Sequence, residues 1–141
     1  MSETKTILKE YFNLIGGQSV ASSNGETFIV ENPANNDMKL GIFQQSTVEE
    51  LNQAVKAAKE TLPAWKKTAA PTRGEYVYKA ALYIEERAEK FKEQLIKEVG
   101  KSYKDAHAEV IRTIRAMRYL AGEAERLTGE TIPSWDPEIR G

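Results

Sequence analysis

The side chains that most often carry covalent catalysis are scarce in this sequence. Its 141 residues include no cysteine and a single histidine, His107. Without a thiol these residues can form no disulfide, no thiolate metal ligand and no cysteine nucleophile. No serine lies in the context of a nucleophile elbow, and one histidine is too few for a metal site of the histidine or cysteine type. A nucleophilic triad and a zinc site of that type are therefore excluded within these residues.

His107 and three glutamates remain as candidates for proton transfer. His107 has no paired base nearby in the sequence, and we expect it on the solvent-facing side of a helix. Glu85, Glu86 and Glu89 lie within five positions and could share one helix face as acid and base. Because lysine and arginine alternate with them, a solvated face of ion pairs is favoured over a catalytic carboxylate pair.

The only glycine-rich segment, IGGQSV, lacks both spacings that phosphate-binding loops use. Twenty basic and 21 acidic side chains give a net charge of -1, which disfavours nucleic acid as a partner. No apolar run approaches the roughly 20 residues of a membrane span, and the first residues lack the layout of a signal peptide. We therefore expect a cytoplasmic protein with no membrane partner.

The first 45 residues show the signals of short strands. Gly16-Gly17 and Asn24-Gly25 each tolerate the positive φ of a tight turn, so both predict hairpins. Pro33 has no N–H for a ladder and should close the third strand. The predicted strands lie near residues 11–15, 18–21, 27–31 and 39–44.

From Thr47 onward the apolar period changes to about 3.6 residues. Thr47 and Glu50 form a predicted capping box at the start of the first helix. We expect Pro63 to end this helix and to begin a short one that carries Trp65, a packing residue. The apolar face of the first helix consists of Val48, Leu51, Val55, Ala58 and Leu62.

Later residues predict further helices with defined ends. One begins at Pro71 and bends near Arg87, and Gly100 should end it as a left-handed C-cap. The last helix begins around Ser102 and is predicted to keep its register up to Gly129. Its apolar stripe consists of Ala106, Val110, Ile114, Met117, Ala121, Ala124 and Leu127.

Five stretches resemble, in order and spacing, the N-terminal portion of the NAD(P)-dependent aldehyde dehydrogenase superfamily. They are LIGGQSV, VENPAN, TVEELNQAVKAAKETLPAWKK, TRGEYVYKAALYIEERAEKFKEQLIKEVGK and RYLAGEAERLTGETIPS. Within that superfamily the set is similar to bacterial enzymes that act on semialdehydes, such as the 2,5-dioxovalerate type.

The resemblance implies an α+β fragment of an α/β, Rossmann-like enzyme, in which β-hairpins precede about four mostly amphipathic helices. It divides the chain into a flexible or helical N-terminus (1–10), a β-hairpin lead-in (11–45), the helical part of the cofactor-binding domain (46–129) and the start of an oligomerisation arm (130–141). In an isolated fragment, we expect this stretch from Gly129 to Trp135 onward to be a frayed terminus.

For the parent enzyme the resemblance implies oxidation of an aldehyde or semialdehyde through a cysteine adduct, with hydride transfer to NAD or NADP. The family's cysteine, general-base glutamate and nucleotide-binding turn have no counterpart here, so no catalytic or cofactor-binding residue is transferred. We expect this chain alone to be structural, inert and without bound cofactor. A stand-alone helical interaction or regulatory module derived from that family, or an unrelated helical binding protein, remains the alternative.

The resemblance also implies a metal site. In some members a monovalent cation is held by an acidic residue and by backbone carbonyls, which correspond here to Glu98 and to the carbonyls of Val30 and Glu31. Oxygen ligands suit such a cation. The alternative is that Glu98 simply belongs to the last turn of its helix.

The expected partner is the remainder of the parent enzyme. If the helices evolved to pack against a nucleotide-binding sheet, the isolated chain exposes more apolar surface than monomers usually tolerate. We therefore expect a homo-oligomer formed through an exposed helix face made of Val110, Ile114, Met117 and Ala121.

Overall fold

The computed structural model describes residues 8–129, where short strands are followed by four helices. This confirms the predicted fold class. The strands are β1 (Glu10–Tyr11), β2 (Asn13–Ile15), β3 (Gln18–Val20), β4 (Thr27–Asn32) and β5 (Asn35–Gln44). The helices are α1 (Val48–Lys67), α2 (Ala70–Glu86), α3 (Ala88–Val99) and α4 (Tyr103–Glu123). The predicted arm at 130–141 and residues 1–7 lie outside the described residues.

The strands form two separate sheets. β2 and β3 pair as an antiparallel hairpin whose turn is Gly16-Gly17, with φ of 57° and 79°, as predicted. The second sheet has the order β1-β5-β4, in which β1 runs parallel and β4 antiparallel to β5. β4 ends at Asn32, directly before Pro33, as the sequence predicts.

The prediction of a hairpin at Asn24-Gly25 was wrong. A turn exists there, since Gly25 has a φ of 70° and its N–H donates to the Ser22 carbonyl at 3.0 Å. The strands on either side of it, β3 and β4, belong to different sheets. The Asn24 side chain accepts from its own neighbour, the Glu26 N–H, at 2.9 Å, so the turn is stabilised locally and needs no strand pairing.

α1 begins as predicted but ends later. Thr47 and Glu50 form the capping box. Pro63 lies inside the helix, which continues to Lys67, so the predicted break was wrong. Proline costs one backbone hydrogen bond there. Trp65 in the final turn packs against Tyr76 of α2, with 5.9 Å between ring centroids, and this contact holds the last turn in place.

The core of the described residues lies between α2, α3 and α4. Its buried apolar side chains are Ala81, Ala106, Val110, Ile114 and Ala121. The bend at Arg87 and the left-handed C-cap at Gly100, with φ of 71°, both occur where the sequence predicts them. α4 is capped by Ser102, as predicted, but its stripe stops short: the helix ends at Glu123, and Leu127 beyond it is 68% exposed.

The N-terminus of α1 is held by one buried carboxylate. Glu50 is 3% exposed and accepts the Thr47 N–H at 2.6 Å, the Thr47 hydroxyl at 2.9 Å and the Ser23 N–H at 3.0 Å. The Thr47 backbone bond is the largest cause that lowers the pKa of Glu50 to about 2; burial opposes it, and the Ser23 bonds add to it. Glu50 thus joins α1 to the turn that precedes β4.

That turn is fixed in its own place by a second buried network. The Ser22 N–H donates to the Gln44 side-chain oxygen at 2.9 Å, and the Ser22 hydroxyl donates to the Gln45 carbonyl at 2.6 Å. Ser22 and Gln44 are both buried. α1 is therefore attached to β5 through polar contacts at its first turn.

We predict that Gly74→Ala destabilises the chain. A Cβ at Gly74 would lie 2.6 Å from the Ala121 carbonyl oxygen and 2.7 Å from the Ala124 Cβ, so α2 and α4 would have to separate. Overpacking of this kind costs about 1–3 kcal/mol, which exceeds the roughly 1 kcal/mol that alanine gains over glycine in a helix. Urea denaturation followed by circular dichroism measures the change.

Gly122→Ala is the matched control for Gly74→Ala. It lies on the same helix pair, but an added Cβ would meet only the flexible end of Arg126 at 3.5 Å. This variant should be neutral or more stable. Equal stability of the two variants would contradict the close packing of α2 on α4.

We predict that the Glu50 carboxylate stabilises the fold above pH 4.5, its ordinary pKa, and that this contribution is lost as the pH falls toward its folded-state pKa of about 2. Glu50→Gln should therefore lower the Tm at neutral pH, and the difference from wild type should shrink on acidification. Thermal unfolding at a series of pH values measures this. Glu49→Gln, at the exposed neighbouring position, is the control and should leave the dependence of the Tm on pH unchanged. A Tm difference between Glu50→Gln and the wild type that stays the same at every pH would contradict this role of the Glu50 carboxylate.

Candidate functional site

Beyond its first turn, α1 has an uncovered apolar face. Glu50 is the one residue of α1 that is buried among the described residues. Fractional exposure is 71% for Val48, 61% for Leu51, 45% for Val55 and 43% for Leu62. The sequence correctly placed these side chains on one face, yet no element of residues 8–129 covers them. An amphipathic helix normally buries such a face against a neighbour.

Beside the second half of this face, the β2–β3 hairpin and α1 form a groove, which on the α1 side is lined by Ala54, Ala57, Ala58, Thr61, Leu62 and Trp65. Gly16 approaches α1 closely, since a Cβ there would lie 3.8 Å from the Ala57 Cβ. The groove has a volume of about 390 Å³ and a mainly apolar lining. Leu14 of the hairpin, 77% exposed, stands at one side, and Trp65, 44% exposed, stands near the end of α1. We call this site the α1 groove.

The helix face predicted to form an oligomer is not available. Val110, Ile114 and Ala121 are buried at 4%, 3% and 8% exposure, and Met117 is partly buried. α4 uses these side chains to pack on the other helices of the same chain. The prediction was wrong because a single sequence shows that a stripe is apolar but not which element covers it.

The predicted carboxylate cluster is a set of ion pairs. Glu85 pairs with Arg118 of α4, Glu86 with Arg87 at 2.9 Å and Glu89 with Lys92 at 2.6 Å. His107 is exposed, and its ring lies 6.3 Å from that of Tyr103. The three glutamates thus lie in ion pairs, as their alternation with basic residues predicts.

Lys92 is the buried charged residue that sequence reasoning missed. It is 4% exposed, and its ammonium donates to Glu89 and lies 5.7 Å from the Tyr103 ring centroid. The hydrogen bond to Glu89 raises the pKa of Lys92 and lowers the pKa of Glu89. A lysine three residues after a glutamate on a polar face gives no sign of burial; the covering element is the start of α4.

The residues of the predicted cation site come from two packed elements. Glu98 lies in the last turn of α3, and its carboxylate accepts the Gln94 amide at 2.7 Å. The pairing of β4 with β5 shifts register on both sides of Glu31, so the regular ladder is interrupted at Val30 and Glu31. The Glu31 carboxylate itself pairs with Lys39. Residues 8–129 contain no group of three or more His, Asp or Glu side chains that could hold a metal ion.

Within the described part of the chain, no helix is both long and apolar enough to cross a bilayer.

Comparison with known proteins relates this chain to one enzyme family. Residues 20–140 match the model of the aldehyde dehydrogenase family. The chain is 41% identical over 128 residues to the α-ketoglutaric semialdehyde dehydrogenase of Bacillus subtilis, covering 91% of this chain and 26% of that protein. It is 38% identical over 142 residues to malonate-semialdehyde dehydrogenase 1 of Geobacillus kaustophilus, covering 99% of this chain and 28% of that protein.

Comparison with solved structures relates the chain to the same kind of enzyme. The lactaldehyde dehydrogenase of Escherichia coli superimposes with a TM-score of 0.85 at 28% identity, covering 93% of this chain and 27% of that structure. The chain thus spans little more than a quarter of the length of the relatives it matches. With a family match over most of its residues, the chain belongs to the aldehyde dehydrogenase family.

Proposed function

We propose that this chain is the N-terminal segment of an NAD(P)-dependent dehydrogenase that oxidises a semialdehyde, and that its role there is structural. The observation that carries the proposal is the exposed apolar face of α1, made of Val48, Leu51, Val55 and Leu62, with the α1 groove beside it. The four side chains of this face are 43% to 71% exposed, and no element among residues 8–129 covers them.

The energetic argument favours a polypeptide as the natural cover of this face. Burying apolar surface yields roughly 25 cal/mol per Å², and each large side chain contributes about 1.5–3 kcal/mol when fully buried. Val48, Leu51, Val55, Leu62 and Trp65 together offer a sizeable free energy to any surface that packs on them. In a monomer, exposed patches of this kind usually mark an interface.

For the whole enzyme we propose that residues 11–45 form a β-hairpin lead-in, that 46–129 form the helical part of the cofactor-binding domain and that 130–141 begin the oligomerisation arm. NAD or NADP would accept the hydride, and the cysteine nucleophile would come from polypeptide outside this chain, which has none. A substrate that carries a carboxylate beside its aldehyde is supported by the names of the two relatives above. A cytoplasmic location belongs to the same proposal.

We extend the proposal to a monovalent cation held by Glu98 and by the backbone carbonyls of Val30 and Glu31. Two features fit an oxygen-coordinated cation: the carboxylate at the end of α3, and the interrupted ladder of β4 beside it. Gly100 brings the two elements together, since a Cβ there would lie 3.1 Å from Pro33. The bound cation would supply local positive charge that joins α3 to β4.

A complementation experiment tests the proposed role. The recipient is the B. subtilis relative without the quarter of its sequence that matches this chain. Neither polypeptide alone should reduce NAD or NADP with a semialdehyde, because the chain lacks a thiol and the recipient lacks its packed helices. The two together should regain dehydrogenase activity, measured by nicotinamide absorbance.

The variant Leu51→Glu, on the exposed apolar face of α1, should lower the regained activity at least about tenfold, a change worth ~1.4 kcal/mol. Leu120→Glu, on α4 and 60% exposed, is the matched control and should complement normally. Activity of this chain alone would refute its structural role. Failure to complement, with both polypeptides folded, would favour a stand-alone interaction module.

We predict that potassium or sodium raises the Tm of the complemented enzyme relative to a bulky organic cation at equal ionic strength, and that Glu98→Gln abolishes the difference. Ligand binding to the folded state alone stabilises it. Glu93→Gln, on the same helix, is the control and should retain the difference. An equal response in the wild type and in Glu98→Gln would exclude this cation site.

A further inference from the structure

The turn between β3 and β4 contains a dipeptide that is chemically reactive. Asn24 is followed by Gly25, and no other asparagine of the sequence precedes a glycine. Because glycine has no Cβ, its backbone nitrogen can approach the preceding side chain with little steric hindrance. An asparagine in this context is therefore the one most prone to lose its side-chain amide. We call residues 22–26 the Asn24 turn.

This loss proceeds through a ring. The Gly25 nitrogen gives its proton to water or hydroxide and attacks the side-chain carbonyl carbon Cγ of Asn24, so an N–Cγ bond forms. The Cγ–Nδ2 bond then breaks, and the amide nitrogen takes up a proton and leaves as ammonia. Water opens the resulting succinimide at one of its two carbonyl carbons. The product is aspartate or, when the main-chain carbonyl is attacked, isoaspartate.

The folded turn holds both reacting groups in other contacts. The Gly25 N–H donates to the Ser22 carbonyl at 3.0 Å, so its proton is engaged. The Asn24 Oδ1 accepts the Glu26 N–H at 2.9 Å, and the Asn24 Nδ2 donates to the Glu26 carboxylate at 3.1 Å. A reversed amide would set donor against donor and acceptor against acceptor. The side chain must break these contacts before Cγ can turn toward the Gly25 nitrogen.

Buried groups on both sides keep the Asn24 turn closed. The Ser22 N–H donates to the Gln44 side chain at 2.9 Å, and the Ser23 N–H donates to Glu50 at 3.0 Å. Ser22, Gln44 and Glu50 are all buried. These contacts are made within residues 22–50, so they do not depend on the polypeptide that covers α1. Opening of the turn is a local unfolding event, and the rate of ring closure follows how often it occurs.

Either product disturbs the Asn24 turn. In aspartate an oxygen takes the place of Nδ2, 3.1 Å from the Glu26 carboxylate, so a hydrogen bond becomes a contact between two negative charges. In isoaspartate the main chain passes through the former side chain and is one carbon longer. The loop closed by the Gly25–Ser22 hydrogen bond then contains an extra atom, and Ser23, inside that loop, shifts relative to Glu50.

We propose that Asn24 is a deamidation site that the fold protects, and that its conversion loosens the attachment of α1 to β5. Protection comes from the contacts of the Asn24 turn, so each chain is converted only when the turn opens. The change is irreversible, and it weakens the network that holds Glu50. This modification goes beyond the proposed function and does not depend on it.

The rate of conversion is the first test. The full 141-residue chain and a synthetic peptide of residues 20–28 are kept in the same neutral buffer, and acid at position 24 is followed by mass spectrometry. The peptide should convert, and the chain, shown by circular dichroism to be folded, should convert at least about tenfold more slowly. A peptide that keeps its amide overturns the proposal, as does a folded chain that converts as fast as the peptide.

Glu26→Ala tests the source of the protection, because it removes the carboxylate that holds Nδ2. Its rate in the folded chain, divided by the rate of a peptide with the same substitution, should rise several-fold over the wild-type ratio. Glu49→Ala, on the exposed neighbour of Glu50, is the control and should leave the ratio unchanged. A Glu26→Ala ratio equal to that of the wild type would contradict protection by this contact.

A double substitution tests the effect of the product. Asn24→Asp should lower the Tm by about 1–4 °C, because it sets two exposed carboxylates in contact. Adding Glu26→Gln should restore most of the loss, since the new amide donates to the new carboxylate with the roles of the two side chains exchanged. Glu26→Gln alone completes the cycle. An unchanged Tm for Asn24→Asp, or a double variant that is no more stable, would contradict the proposed effect.

The isoaspartyl chain tests the link to α1. After separation by ion exchange, its Ser23 amide should exchange with deuterium faster than in the wild type, because that amide no longer donates steadily to Glu50. Equal exchange at Ser23 would overturn the loosening of α1. All of these measurements use this chain without the recipient polypeptide, so their results are separate from success or failure of complementation.

Discussion

The placement of α1 depends on the Glu50 carboxylate. Three donors, two from Thr47 and one from Ser23, converge on a side chain that is 3% exposed and has a pKa of about 2. The helix then extends for more than four further turns with its apolar side largely in solvent. The polar contacts at the first turn fix the direction of α1 but do not cover its apolar face. The face and the α1 groove beside it therefore stay open.

The other three helices, in contrast to α1, cover their apolar faces by packing on one another. α2 and α4 bury small side chains, and Gly74 allows the two backbones to approach so closely that a Cβ would overlap the Ala121 carbonyl. The Arg118–Glu85 pair crosses the same contact from the outside. A chain that packs α2, α3 and α4 on one another and leaves the apolar face of α1 open has the character of a segment within a larger assembly. Its match to about a quarter of the length of its relatives suggests the same.

Local chemistry in the sequence determined what could be predicted. The capping box at Thr47, the bend at Arg87 and the left-handed Gly100 each depend on neighbours within a few residues, and all three were predicted correctly. The errors concern contacts made at a distance. Pro63 lies within a helix whose last turn is held by Trp65 against Tyr76. Which stripe is buried, that of α4 or that of α1, depends on the tertiary arrangement, which apolar periodicity does not encode.

The central claim is that the open face of α1 is where other polypeptide packs. Hydrogen–deuterium exchange of this chain, alone and with the recipient polypeptide added, tests it most directly, because protection is read helix by helix. The account predicts new protection concentrated along residues 48–67, with α2 to α4 changed little. Protection confined to α2, α3 and α4, with α1 exchanging as freely as before, would contradict it.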